Sequence, residues 1–273
     1  MVKKMHHKVI VAGLGIIGRA VARYLIDKGY IVYGYDVKKL NITRFPISNI
    51  WEELPHHEID VYIITVYAGL KNGTADMSSV EDVVHKIATV NNDALVIIES
   101  TVIPGCCRML SEKYKIGIAH CPHRYWAGDP VHYGVKQIRV LGATDEKTLD
   151  QAIEFYQSLD IPIHVVSNVE VAELAKIVEN AYRYLNITFS ELIRMLCERM
   201  NINFWELRQA VNTKWNVKLP EARKGIGGSC LPKDTNYLLN LLRKMNISSE
   251  LIKTSIDTDE AYKKWILTRK IIE

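Results

Sequence analysis

Cys230 stands in the run Gly227-Gly228-Ser229-Cys230-Leu231-Pro232-Lys233-Asp234, with a lysine and an aspartate three and four positions after the thiol. A thiolate is the nucleophilic form of cysteine, and a nearby cation favours it. The run therefore fits an activated nucleophile, and it equally fits a glycine-rich loop around an inert, buried thiol. Far upstream, Lys176 and Asn180 are four apart in a stretch of helical period, which puts both on one helix face. By themselves they read as two solvated polar residues.

A second chemistry is written near the start of the chain. The apolar run Val9 to Ala12 leads into Gly13-Leu14-Gly15-Ile16-Ile17-Gly18, and an amphipathic segment follows to about Lys28. Glycines at these positions permit a tight turn and close approach of backbone to a pyrophosphate, whose charge the helix N-terminus favours. Asp36 ends the next apolar run, Ile31 to Tyr35, and lies 18 positions after Gly18. That is near the spacing of about 20 expected of an acid that binds a ribose diol. A carboxylate there repels a 2′-phosphate, so NAD is expected over NADP. Lys38 or Arg44 would weaken that preference.

These residues need elements to hold them. Apolar strands are expected at Val61 to Thr65, Leu95 to Glu99, Ile116 to His120, Gln137 to Leu141 and Ile163 to Val166. Helices are expected at Ser78 to Val90 and Glu146 to Leu159. This alternation predicts an α/β fold over residues 1–167, a Rossmann-like, doubly wound parallel sheet with both faces covered. Ligands bind such sheets beyond the carboxyl ends of the strands, where Gly13, Asp36, Thr65 and Ser100 fall. Over residues 168–273 the rhythm changes. One long helix is expected from Glu170 to about Arg199, followed by helices at Asn203 to Asn212, Asp234 to Met245 and Ser248 to about Ile272. The second domain is therefore all-α. The long helix carries Ile177, Leu185, Phe189, Leu192, Ile193 and Leu196, too many apolar positions for one face of a solvated helix, which predicts a homodimer.

The chain has 273 residues and a formal net charge of +4, which gives no strong pull toward nucleic acid. No apolar run approaches the ~18 residues that span a membrane. The basic N-terminus reads as the lead-in to the first strand rather than a signal peptide. Cysteines 106, 107, 121, 197 and 230 match no common zinc or disulfide spacing, so no metal and reduced thiols in the cytoplasm are expected.

Taken together the motifs resemble the UDP-glucose/GDP-mannose dehydrogenase family. Four carry the match: Gly13-x-Gly15-x-x-Gly18, Glu99-Ser100-Thr101-Val102-Ile103-Pro104-Gly105, Ala172-Glu173-Leu174-Ala175-Lys176-Ile177-Val178-Glu179-Asn180, and Gly227-Gly228-Ser229-Cys230-Leu231-Pro232-Lys233-Asp234. The resemblance implies NAD-dependent oxidation of the primary alcohol of a sugar or nucleotide sugar to a carboxylate. It implies that Cys230 forms a thiohemiacetal and then a thioester. Lys176 and Asn180 would stabilise the oxyanion, and Asp234 and Thr101 would place the hydrolytic water. Lys233, His123 and Arg124 would lie near the substrate, and Ser100 and Thr101 near the cofactor. Two departures stand out. The family usually has glutamates where this chain has His123 and Ala127. His123 could act as a general base in their place, or be a polar surface residue. The family also usually has a third, α/β domain, whereas only about forty residues follow Asp234 here. Two further readings compete with the two-step enzyme. One is a single-step NAD-dependent hydroxyacid or alcohol dehydrogenase, and the other an impaired NAD-binding partner protein.

Overall fold

Alternation along the central strands sends successive side chains to opposite faces of one sheet. In the computed structural model, which describes residues 8–269, these strands are β1 (Lys8–Ala12), β4 (Val61–Ile64) and β7 (Leu95–Ile98). Ile10, Tyr62 and Val96 face one buried layer, while Val9, Val11, Ile63 and Ile97 face another. The first layer is closed by α2 (Ser78–Val90) and α3 (Cys106–Tyr114), the second by α1 (Ile16–Asp27) and α4 (Glu146–Ser158). A strand covered on both faces has no polar side, which is why these segments read as unbroken apolar runs.

The remaining strands of the sheet are β2 (Ile31–Tyr35), β3 (Ile47–Ser48), β8 (Ile118–His120), β9 (Arg139–Ala143) and β10 (Ile163–Val165). The order is β10-β9-β8-β7-β4-β1-β2-β3. From β1 the chain builds outward to β2 and β3, then crosses back to β4 on the other side. In register, Ala12 pairs with both Tyr35 and Ile64, so the strand ends form one level rim at this switch point. The expected all-parallel sheet needs one correction, because β8 and β9 run antiparallel. The connection from His120 to Arg139 contains no helix, and a parallel return needs a crossover. A short hairpin, β5 (Gly69–Lys71) and β6 (Thr74–Asp76), forms a separate two-stranded sheet.

The long helix α5 runs Val169–Arg199 without glycine or proline. It is followed by α6 (Phe204–Val211), α7 (Cys230–Lys244) and α8 (Glu250–Arg269). Asn203 caps α6, its side-chain oxygen accepting from the amides of Trp205 and Glu206. Cys197, Phe204, Leu219, Ala222 and Tyr262 form the buried cluster of this helical part. Helix α7 begins at Cys230, four residues before its expected start at Asp234. Pro232 sits in the first turn, where its missing N–H has no intrahelical partner to lose.

Two compact units result. One joins the described residues up to Gly69 with Ala75–Lys176, and the other joins Leu70–Thr74 with the residues from Ile177 onward. The division falls inside α5.

Candidate active site

Within the first unit, the glycine turn is built as its spacing requires. Gly13 has φ +94°, and a Cβ on it would stand 2.7 Å from the Val66 amide nitrogen. A Cβ on Gly18 would stand 1.9 Å from the Gly13 carbonyl oxygen, so only glycine lets α1 pack this closely on the turn. Gly15 opens α1 with free space around its Cα, no side-chain cap and no acidic residue in the first turn. The first amides of α1 are thus left for an anion.

Asp36 follows β2 and anchors the rim. One of its oxygens accepts from the Leu14 amide at 2.8 Å, the other from the Lys38 amide at 2.9 Å. Beside it, Leu14, Lys38, Lys39, Ser48 and Asn49 line a hollow. Each carboxylate oxygen keeps a lone pair toward a ribose diol. Arg44 is paired with Asp27 instead, away from this hollow. Thr65 donates to the Gly13 carbonyl at 2.7 Å and Ser100 to the Val66 carbonyl at 2.6 Å, so both hydroxyls brace the turn from the neighbouring strand ends. Ile16 is exposed at the mouth of the turn, with Ile17 half-buried behind it, and Thr101 is half-buried just past β7. These residues fit a dinucleotide: first-turn amides for its pyrophosphate and an acid for its ribose.

A buried ionic cluster lies just past β7. Glu99 receives the Arg139 guanidinium at 2.6 Å and the Tyr156 hydroxyl at 2.7 Å on one oxygen, and His123 Nε2 at 2.5 Å on the other. Glu99 and Arg139 side chains are each 1% exposed. Burial pushes the Glu99 carboxyl up, but His123 and Arg139 more than offset this and hold it at about 2. His123 is pushed down by burial first and then by Arg139, with Lys176 adding to it, and the opposing pull of Glu99 does not restore it. It is therefore a neutral imidazole, not the polar surface residue that was one of its two expected roles. Its Nε2–H donates to Glu99, and Nδ1 is left without a partner. Arg124 reaches the Ile138 carbonyl at 2.7 Å. Neither Glu99 as an anchor nor Arg139 was legible as a site residue. The one available signal was a basic residue inside the apolar run Gln137 to Leu141.

In the second unit, Cys230 is the exposed first residue of α7, with the Ser229 hydroxyl 3.9 Å from its sulfur. One turn on, Asp234 is fully buried. It accepts from the Asn180 amide at 2.5 Å and pairs with Lys233 Nζ at 2.8 Å. Lys233 also lies over the Tyr237 ring, 4.5 Å from its centroid. Four of the expected residues, Asn180, Cys230, Lys233 and Asp234, are thus brought together by α5 and α7. Lys176 stands one turn before Asn180 on α5. An accessible thiol beside a fixed carboxylate, amide and ammonium can attack an electrophilic carbon, stabilise the resulting oxyanion and orient water.

Comparison with known proteins identifies the family. Residues 52–160 match the family model described as UDP-glucose/GDP-mannose dehydrogenase family, NAD binding domain, and residues 170–261 match the central domain of the same family. The UDP-N-acetyl-D-mannosamine dehydrogenase of Pyrococcus horikoshii is 29% identical over 269 residues, covering 85% of this chain and 64% of the relative. The enzyme of the same description from Methanocaldococcus jannaschii is 27% identical over 299 residues, covering 97% of this chain and 69% of the relative. The solved structure of the UDP-D-ManNAc dehydrogenase from Pyrococcus horikoshii matches with a TM-score of 0.84 at 27% identity, over 93% of this chain and 68% of that one. The chain spans about two thirds of the length of these relatives.

Proposed function

The chain belongs to the UDP-glucose/GDP-mannose dehydrogenase family, and from that premise we propose that it oxidises the primary alcohol of a nucleotide-linked sugar to a carboxylate in two NAD-dependent steps. The observation that carries this reading is the exposed Cys230, set at the head of α7 beside the buried Asp234 and its partner Asn180. When bound, NAD supplies the hydride acceptor, once for each oxidation. The alcohol carbon loses one hydride and its hydroxyl proton to become an aldehyde. The Cys230 thiolate adds to that carbon, forming a C–S bond and a thiohemiacetal oxyanion. Lys176 and Asn180 are assigned to that oxyanion. Loss of a second hydride leaves a thioester, and attack by water breaks the C–S bond, giving carboxylate and free thiol. Asp234 and Thr101 are assigned to the water, and Lys233, His123 and Arg124 to the sugar side. The thiohemiacetal is needed because a trigonal aldehyde carbon does not release its hydrogen as hydride, whereas the tetrahedral oxyanion adduct does as its C=O re-forms.

The named relatives act on UDP-N-acetyl-D-mannosamine, which makes a UDP-linked N-acetylhexosamine the first substrate to try. The test is a panel of UDP- and GDP-linked hexoses and N-acetylhexosamines with NAD. Two NADH per sugar consumed, lost in Cys230→Ala, is the expected result. One NADH per sugar, unaffected by Cys230→Ala, would indicate the single-step alternative, and no turnover with any sugar would indicate the impaired partner. A homodimer is part of the same proposal. Phe189, Leu192 and Leu196 of α5 are 57%, 49% and 51% exposed in the single chain, a load of apolar surface that a second copy would cover. A monomer mass by light scattering would remove that part. Among the described residues no helix is long and apolar enough to cross a membrane.

A further inference from the structure

A second buried acidic pair lies in the helical unit, and it reaches the segment that carries Cys230. Asp259 of α8 is 1% exposed. One of its oxygens accepts from the Ile226 amide at 2.8 Å. The other accepts from the Tyr184 hydroxyl at 2.8 Å and pairs with Lys263 at 2.6 Å. Ile226 is itself buried and stands four residues before Cys230. Next to it, Gly225 has φ +87°, and a Cβ there would meet the Lys263 side chain at 2.4 Å. The Asp259–Ile226 bond therefore pins the last buried point of the chain before an exposed stretch, Gly227 to Cys230.

Glu191 of α5 faces this site. It is completely buried, no N–H or O–H donor serves either carboxyl oxygen, and Asp259 is the acidic group it faces. The charges around the pair are few. Lys263 already pairs with Asp259, Arg194 is spent on the Ala222 and Arg223 carbonyls and on Tyr262, and Glu260 adds another negative charge near Tyr184. Two ionised carboxylates against one ammonium would leave an uncompensated buried charge, which proteins avoid. A proton on Glu191 removes it and turns an orphaned acceptor into a donor.

We infer that Glu191 carries a proton that it offers to Asp259, and that this pair is a positioning device that holds Ile226 and with it the segment presenting Cys230. Burial first, and then Asp259, raise the Glu191 carboxyl to about 8. Above that value a second negative charge faces Asp259 and competes for Tyr184 and Lys263, and the grip on Ile226 weakens. The consequence for catalysis rests on Cys230 being the nucleophile, whereas the segment's order can be read without any turnover.

The test is amide hydrogen exchange of the Gly225–Ser229 peptide in the full chain, corrected for intrinsic rates, from roughly two pH units below to roughly two above the Glu191 midpoint. The native protein should lose protection at least about tenfold across that midpoint. Glu191→Gln keeps the shape and donates an amide N–H to Asp259, so its protection should stay flat. Asp259→Asn keeps an acceptor for Ile226 and removes the carboxylate that an ionised Glu191 would repel, so it too should lose the transition, and it serves if Glu191→Gln does not fold. A native profile without a transition, or the same transition in both variants, would overturn the protonated Glu191 as the positioning device. Failure of the nucleotide-sugar assay with an intact transition would overturn the proposed activity alone.

Discussion

Replacing Glu99 by glutamine should be among the most damaging single changes in the first unit, although it alters almost no volume. The carboxylate is nearly inaccessible and is the anionic partner of an equally buried guanidinium at 2.6 Å. Glutamine removes the charge but not every acceptor: its amide oxygen can still receive Arg139, whose other terminal nitrogen keeps the Val135 carbonyl at 3.0 Å, so what the guanidinium loses is its counter-charge. Losing a neutral hydrogen bond costs about 0.5–1.5 kcal/mol. Stranding a buried charge costs about 3–5 kcal/mol. The second figure governs here, because nothing can hydrate Arg139 in place of Glu99. At about 2–4 °C per kcal/mol, the midpoint of thermal unfolding should fall by roughly 6–20 °C. The acid titration provides an independent check. Glu99 is held at about 2 against an ordinary value of 4.5. A depressed carboxyl contributes stability that is complete above the unfolded value and is lost as pH falls toward the folded one. At about 1.4 kcal/mol per unit the contribution is on the order of 3 kcal/mol. The penalty of Glu99→Gln, followed by calorimetry against pH, should therefore be full at neutral pH and shrink between about 4.5 and about 2. Adding Arg139→Met should recover most of the loss. A neutral-pH penalty below about 1 kcal/mol, or one unchanged by acid, would refute the reasoning.

Three other outcomes are expected. Gly18→Ala forces a methyl against the Gly13 carbonyl and the Thr65 hydroxyl. It should cost about 1–3 kcal/mol of stability and weaken NAD binding in calorimetric titration, and unchanged affinity would argue against the turn as the cofactor cradle. Asp36→Ala should weaken NAD by about 1–3 kcal/mol by loss of a charged hydrogen bond, and equal affinity of the native protein for NAD and NADP would count against the ribose assignment. Iodoacetamide at neutral pH should label Cys230 well before the other cysteines. Burial pushes Cys106 and Cys121 up to about 12, raises Cys107 well above the usual thiol range, and encloses Cys197. Faster labelling of Cys197, read by peptide mass spectrometry, would remove Cys230 as the nucleophile.

Where local pattern is enough, the amino-acid sequence determined this protein by itself. The glycine turn, the strand before it and the helix after it read directly, because each depends on neighbours in the chain. Helix α2 has the bounds expected from its apolar face, Ser78–Val90. The length of α5 followed from a stretch without glycine or proline. Tertiary structure decided what depends on residues far apart. Helix α3 was not expected. Its first turn is capped by Glu173 of α5, which accepts from the Gly105 and Cys107 amides at 2.6 and 2.8 Å across 68 and 66 positions. The antiparallel β9 could not be read because direction comes from the path of the preceding loop, not from strand composition. His123 was legible as a general base in place of the usual glutamate or as a polar surface residue, with nothing local to decide between them. Its partner Glu99 lies 24 positions away, and what pushes the ring toward neutrality is burial first and then Arg139, which reaches Glu99 across 40, with Glu99 itself pulling the other way. Nothing in the helical period of α5 singles out Glu191, and only the packing of α8 against α5 sets it beside Asp259. Periodicity reports which face of an element is apolar. Which buried charges meet is fixed by the approach of distant elements, and that determines whether a carboxyl carries a proton.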